Sequence, residues 1–191
     1  LYQYIATSIL KCRLKGEEDT MEFATKCIHE IGAADATSAC LGALDAWLVI
    51  RGIKTLPLRM EQHQKNAFAI AKWLQKQLRV QYVLYPGLEN HPGYVINKAQ
   101  TTSFGGMISF AVDNAETARQ ILEGVKLIKF AESLGGTESL ITYPIRQTHT
   151  DLTAEECSEK GITDCLLRFS TGIEATQDLI DDLAQAFAAI E

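Results

Sequence analysis

The sequence has no basic cluster, no long apolar run and no paired-cysteine pattern, and each absence removes a class of function. Its 18 lysines and arginines are outnumbered by 24 acids, for a net charge of −6. The electrostatic footprint of a nucleic-acid or anionic-membrane binder is therefore missing, and neither partner is expected. No apolar stretch approaches the roughly 20 residues needed to span a bilayer. The five cysteines (Cys12, Cys27, Cys40, Cys157 and Cys165) are odd in number, widely spaced and free of any Cys-x-x-Cys. Reduced thiols in a cytoplasmic protein are expected, rather than a disulfide framework or a zinc site. The histidines at 29, 63, 91 and 149 show no metal-ligand spacing, so no metal is expected. The opening Leu1-Tyr2-Gln3-Tyr4 lacks the basic segment and small-residue cleavage site of a secretory signal. Leu1 in place of methionine leaves a fragment or a processed product open.

What is present suits a folded core: 191 residues, 47% hydrophobic and 22% charged, enough for one domain or a domain with an appendage. Asp19 and Glu22 have capping-box spacing, and Met21, Ala24, Ile28 and Ile31 stripe a helix that stops at Gly32. The small, apolar stretch from Asp35 to about Ile50 predicts a helix buried on most of its circumference, inside this chain or against a partner. The spacing predicts the longest helix over 54–78, with Pro57 kinking it or marking its first turn and with Ala67, Ile70, Ala71, Leu74 and Leu78 as its apolar stripe. Strands are expected over 79–85 and 107–112 and leading to Ser133, with a short helix over 91–100 and another from Asn114 to Gly124. Thr153 and Glu156 form a capping box, and Leu179, Ile180, Leu183, Phe187 and Ile190 stripe a last helix with early acids at Asp178, Asp181 and Asp182. From residue 80 the order is strand, helix, strand, helix, strand, strand, helix, strand, helix. This predicts an α+β fold, a small sheet with helices on one face, preceded by a helical N-terminal segment. The expected division is 1–50 as a helical approach and 51–191 as the α+β domain.

Two features organise the second half. The run Leu127-Ile128-Lys129-Phe130 ends in Glu132-Ser133 just before Gly135-Gly136. Paired glycines let backbone turn sharply and approach other groups closely, so an acid and a hydroxyl are delivered to one loop. An ordinary strand-to-turn corner has the same spacing. The second feature is Arg168, in the alternating strand Leu166-Leu167-Arg168-Phe169-Ser170. Leu166, Arg168 and Ser170 face one way, and Leu167 and Phe169 the other. An arginine amid apolar residues is costly to desolvate unless an anion meets it, and its planar fork suits a carboxylate. A structural arginine paired with one of the chain's own acids is the competing reading.

Several motifs now read together: Trp47-Leu48-Val49-Ile50-Arg51-Gly52 through Pro57-Leu58-Arg59-Met60, Tyr85-Pro86-Gly87-Leu88, His91-Pro92 and Phe104-Gly105-Gly106-Met107. They continue with Glu132-Ser133-Leu134-Gly135-Gly136-Thr137-Glu138-Ser139, Pro144 with Thr148-His149, Gly161-Ile162-Thr163, and Leu167-Arg168-Phe169-Ser170-Thr171-Gly172-Ile173-Glu174. From about residue 45 to the end the chain resembles, in order and spacing, the C-terminal part of the pyridoxal-phosphate enzymes of trans-sulfuration: cystathionine γ-synthase, γ-lyase and β-lyase and methionine γ-lyase. The resemblance implies the mainly antiparallel C-terminal domain of fold-type I pyridoxal-phosphate enzymes, a cytoplasmic homo-oligomer (dimer or tetramer) and a small amino-acid substrate. It implies that Arg168 grips the substrate α-carboxylate and that Ser133 stands beside the Schiff-base lysine as a catalytic-site residue. Glu132 occupies the position where cystathionine-handling members carry Glu and methionine γ-lyases an apolar residue. An acid there suits the distal ammonium of cystathionine. Thr148 is a supporting substrate-side candidate.

The departures lie at the start. The family's cofactor lysine stands in a Ser-x-x-Lys-Tyr stretch, and an alignment on Tyr4-Ile5 puts Gln3 where that lysine belongs. An amide cannot form the imine that pyridoxal phosphate requires. Lys11 is the nearby amine, in surroundings that do not match. Ala43-Leu44-Asp45 replaces the family's Pro-Phe-Asp, and the 35–44 region is longer than usual. Two readings follow: the substrate-side portion of an enzyme making or breaking a C–S bond of cystathionine-type amino acids, inactive as this chain alone and without covalently held cofactor, or a non-catalytic truncated paralogue acting as an oligomerisation or binding module.

Overall fold

The computed structural model describes residues 42–150 and 152–190. The chain falls into two compact units divided between Leu58 and Arg59. In the first, helix α1 spans Ala43–Lys54, and α2, Leu56–Leu74, begins there and continues into the second. The expected single helix over 54–78 is thus corrected at both ends. Thr55 interrupts it, leaving Pro57 in the first turn of α2, where a missing N–H removes no helical bond. At the other end the amides of Lys76 and Gln77 fold back onto the carbonyls of Trp73 and Leu74, a tighter i→i+3 pattern that closes α2 at Leu74 and leaves Leu78 fully exposed. The apolar circumference expected for 35–50 is described only from residue 42. None of α1 is buried within this chain, and Leu44, Trp47 and Leu48 are each more than half exposed. The helix expected over 21–31 lies outside the described residues.

The second unit contains a five-stranded sheet ordered β1-β2-β5-β4-β3. Its strands are β1 Val80–Leu84, β2 Met107–Val112, β3 Lys129–Phe130, β4 Leu140–Thr142 and β5 Leu166–Ser170. Three of the four pairings are antiparallel and only β3–β4 is parallel. The remaining helices are α3 Tyr94–Gln100, α4 Ala115–Gly124, α5 Ala154–Glu159 and α6 Thr176–Ala188, with a 3₁₀ turn at Pro144–Arg146. The order of strands and helices read from the sequence is the order observed. The helix expected from His91 starts at Tyr94 instead, because His91-Pro92-Gly93 is a turn whose Gly93 amide is bound by the His91 ring at 3.0 Å.

The period-2 pattern of β2 and β5 explains the layering. Ile108, Phe110 and Val112 of β2 and Leu167 and Phe169 of β5 are fully buried in one cluster. That cluster also holds Ala67, Ile70, Ala71 and Leu74 of α2, Ala118 and Ile121 of α4, and Leu179 and Leu183 of α6. Burying each large side chain contributes about 1.5–3 kcal/mol. An edge-on contact between Trp73 and Phe187, ring centres 5.6 Å apart, joins α2 to α6. Asn114 caps α4 by accepting the Thr117 amide, and both halves of the Thr153–Glu156 capping box are formed on α5. Helices α2, α4 and α6 therefore pack on one face, and the alternate residues of β5, Arg168 among them, point to the other.

Candidate functional site

Arg168 stands at the centre of β5, in register with Ser109 of β2 on one side and Thr142 of β4 on the other. This follows from alternation, since Leu167 and Phe169 must face the core. One terminal nitrogen of the guanidinium donates to the Glu132 carbonyl and to the Thr142 hydroxyl, each at 3.3 Å. Its Nε is buried and has no partner. The ion pairs among the described residues involve Arg79 and Arg119, not Arg168. Burial lowers the Arg168 pKa below the usual arginine range, and the nearby Glu132 charge opposes that shift only in part. A half-buried guanidinium with one N–H unsatisfied and no acid locked on it has the capacity to take up a carboxylate.

The loop that follows β3 is pinned beside this arginine. Gly135 has φ +76°, the left-handed conformation that favours glycine, and its amide donates to the Ser170 hydroxyl at 2.9 Å. Ser170 lies two residues from Arg168 on the same strand face, so β5 holds both the guanidinium and the loop. Glu132 is exposed apart from its carbonyl contact, and Ser133 is exposed with no hydrogen bond on its hydroxyl among the described residues. The far end of the loop is fastened harder. Glu174 accepts the Ser139 amide at 2.6 Å and the Ser139 hydroxyl at 2.9 Å, while that hydroxyl accepts the Gly172 amide at 2.8 Å. A Cβ at Gly172 would collide with the Thr137 carbonyl and the Glu174 carboxylate, which explains a glycine there. Asn66 of α2 donates to the carbonyls of Gly172 and Glu174, and the His63 ring meets the Thr171 carbonyl.

Thr148 stands apart from this constellation. Its hydroxyl is 2.7 Å from Nδ1 of His149, and no hydrogen bond connects it to Arg168 or to residues 132–136. A cavity of about 290 Å³ opens nearby, lined by Ile145, His149, Leu152, Cys157 and Ile162 among others, and its lining includes neither Arg168 nor Glu132. The residues that sequence reasoning did not assign to the site are Thr142, Ser170, Ser139, Glu174 and Asn66. His63 and Asn66 fall on the same stripe as Ala67, Ile70 and Leu74, so polar residues at apolar spacing were the available signal. The described lysines are all exposed, and none hydrogen-bonds to Arg168 or to residues 132–136. The guanidinium and the loop beside it have the chemistry to meet a carboxylate. Gln3 and Lys11 lie outside the described residues. No group of three or more His, Cys, Asp or Glu side chains among the described residues could hold a metal.

Comparison with known proteins places the chain in a family. The profile of the Cys/Met metabolism PLP-dependent enzymes matches residues 12–188. The chain belongs to that family. It is 47% identical over 156 residues to cystathionine gamma-lyase of Bacillus subtilis, covering 82% of this chain and 41% of that protein. It is 46% identical over 164 residues to L-methionine gamma-lyase of Fusobacterium nucleatum, covering 85% and 42%. The crystal structure of cystathionine gamma-lyase from Lactobacillus plantarum, complexed with L-serine, superposes with a TM-score of 0.75 at 40% identity over 82% of this chain and 41% of that one. The chain thus spans about two-fifths of the length of the curated relatives it matches. The relatives are pyridoxal-phosphate enzymes of trans-sulfuration, and the mixed α/β fold is that of their structures.

Proposed function

We propose that residues 51–191 form the substrate-side domain of a trans-sulfuration-type enzyme that makes or breaks a C–S bond of a cystathionine-type amino acid. The observation that carries this reading is the buried, unpartnered Nε of Arg168 in mid-strand. Leaving a buried donor unsatisfied costs about 1–3 kcal/mol, and a substrate α-carboxylate removes that cost. Arg168 is the carboxylate clamp. Glu132, carried on the loop that Arg168 touches, presents an acid to the distal ammonium of cystathionine. Ser133, beside it, is free to orient the reacting end of the substrate. Thr148, through His149, supports the neighbouring loop. In the family, pyridoxal phosphate supplies the electron sink for the bond cleavage. This chain by itself is expected to bind the carboxylate without turning the substrate over.

The test is the Arg168 Nε–H resonance of the isotopically labelled chain during titration with L-cystathionine. A saturable shift, lost in Arg168→Ala, is expected. An unmoved resonance at millimolar ligand overturns the clamp. The exposed Leu44, Trp47 and Leu48 on α1 favour a second reading alongside the first, an oligomerisation surface giving a dimer or tetramer. Sedimentation of the chain with Trp47→Glu tests it. A shift of the wild-type assembly to monomer is expected, and an unchanged assembly refutes the role of this face.

A further inference from the structure

Arg168 is held by a hydroxyl whose own proton is already committed. Thr142 is 1% exposed and sits opposite Arg168 on β4, in the direction perpendicular to the strands. Its Oγ1 donates to the Ala131 carbonyl at 2.7 Å and accepts from the Arg168 terminal nitrogen at 3.3 Å. A hydroxyl has one proton, so the oxygen can offer Arg168 only a lone pair. The adjacent residue Glu132 offers its carbonyl to the same nitrogen. Both acceptors sit on one terminal nitrogen of the guanidinium, and the buried Nε has no hydrogen-bond partner.

We propose that Thr142 is a positioning residue for substrate binding. It orients the Arg168 guanidinium through a hydroxyl that also fixes residue 131, so the clamp and the Glu132–Ser133 loop are set by one side chain. The proposal rests on Arg168 as the carboxylate clamp. The chemistry explains the residue type at 142: valine has the same shape without the lone pair, whereas serine keeps the lone pair and loses a methyl group. A purely structural role would follow shape. A positioning role follows the hydroxyl.

The experiment compares Thr142→Val and Thr142→Ser in the full chain, with Arg168→Ala as reference. Two quantities are read: the solvent-exchange rate of the Arg168 Nε–H without ligand, and the dissociation constant for L-cystathionine. Thr142→Val is expected to accelerate the exchange and to weaken binding by about tenfold, the size of one hydrogen bond to a charged group, while Thr142→Ser stays within about twofold of wild type on both. Valine and serine variants that behave alike overturn the proposal, as does a valine variant indistinguishable from wild type. Were Thr142→Val to unfold, Thr142→Ala replaces it against the same serine control. Failure of the clamp itself looks different. Arg168→Ala would then leave ligand affinity unchanged, while the ligand-free exchange signature of Thr142→Val would still report whether the hydroxyl orients the arginine.

Discussion

The Ser170 hydroxyl accepts the Gly135 amide at 2.9 Å, and this bond ties the strand that carries Arg168 to the loop that carries Glu132 and Ser133. Ser170→Ala keeps the strand and removes the acceptor. The Gly135 amide then loses this partner, and the expected loss is about 1 kcal/mol of stability. Amide exchange at Gly135 should accelerate far more than exchange at Phe169, in the core of the same strand. Equal acceleration at both would show global loosening rather than release of the loop.

A carboxylate holds the other end of the same segment. Asp182 is buried on α6, and its two oxygens accept the amides of Lys126, Leu127 and Ile128 at 2.8, 3.0 and 2.9 Å. Those three amides belong to the turn that leads into β3, so α6 sets where the loop begins. Asp182→Ala leaves three donors without this partner and should lower unfolding stability by about 2–4 kcal/mol. Urea denaturation measures it. Asp178 and Asp181, near the start of the same helix, should each tolerate alanine within about 0.5 kcal/mol.

Asp182 also shows where the sequence stops being informative. Its place among early helical acids is legible as a dipole effect, but its bonds cross more than fifty residues of chain, and no local spacing encodes them. The sheet was legible because alternation in β2 and β5 is local, and the strand–helix order followed from turns and caps. The face of Arg168 followed from the same alternation. Its neighbours Thr142 and Ser109 did not, because register between strands far apart in the chain is settled by the packing of both faces. Likewise the Glu132-Ser133 loop was visible as an acid and a hydroxyl before glycines, whereas its anchoring by Ser170 and Glu174 required the fold. The helix expected over 54–78 breaks at Thr55 and stops at Leu74, because apolar spacing continues through both points and helical backbone bonding does not.

Alkaline pH offers a test of the core at Tyr85. The ring is fully buried, and its hydroxyl donates to the Gly105 carbonyl at 3.0 Å. Burial pushes the phenol pKa well above its ordinary value near 10. A folded-state pKa raised in this way disfavours ionisation in the fold. Its contribution is fully present below pH about 10 and is lost as pH rises from there towards the folded pKa. Tyr85→Phe should remove that alkaline component. Thermal melts between pH 8 and 11 should show the wild type losing stability more steeply than the variant. Parallel curves would exclude Tyr85 as the source.

The Glu132 side chain is exposed while its carbonyl is bound to Arg168, so the two halves of the residue can be separated by mutation. Glu132→Val keeps the carbonyl and removes the acid. Binding of an amino acid that lacks a distal ammonium should change little, and L-cystathionine should bind about two- to fivefold more weakly, the range for one exposed ion pair. Titration calorimetry with both ligands measures the ratio. A variant whose ratio equals that of the wild type would show that Glu132 does not read the distal end.

Arg168 sets function against stability. Its guanidinium is desolvated, its Nε is unpartnered, and no acid among the described residues forms an ion pair with it. Arg168→Met retains the length of the stem and discards the buried charge. Apolar replacements of buried charged groups are often neutral or stabilising, and relief of one unsatisfied donor is worth about 1 kcal/mol or more. The variant should therefore unfold at equal or higher urea concentration than wild type and yet fail to bind L-cystathionine. A clear loss of stability would mean that the bonds to Glu132 and Thr142 already satisfy the arginine. Its reason for standing in β5 would then be structural, and the carboxylate site would have to be sought elsewhere.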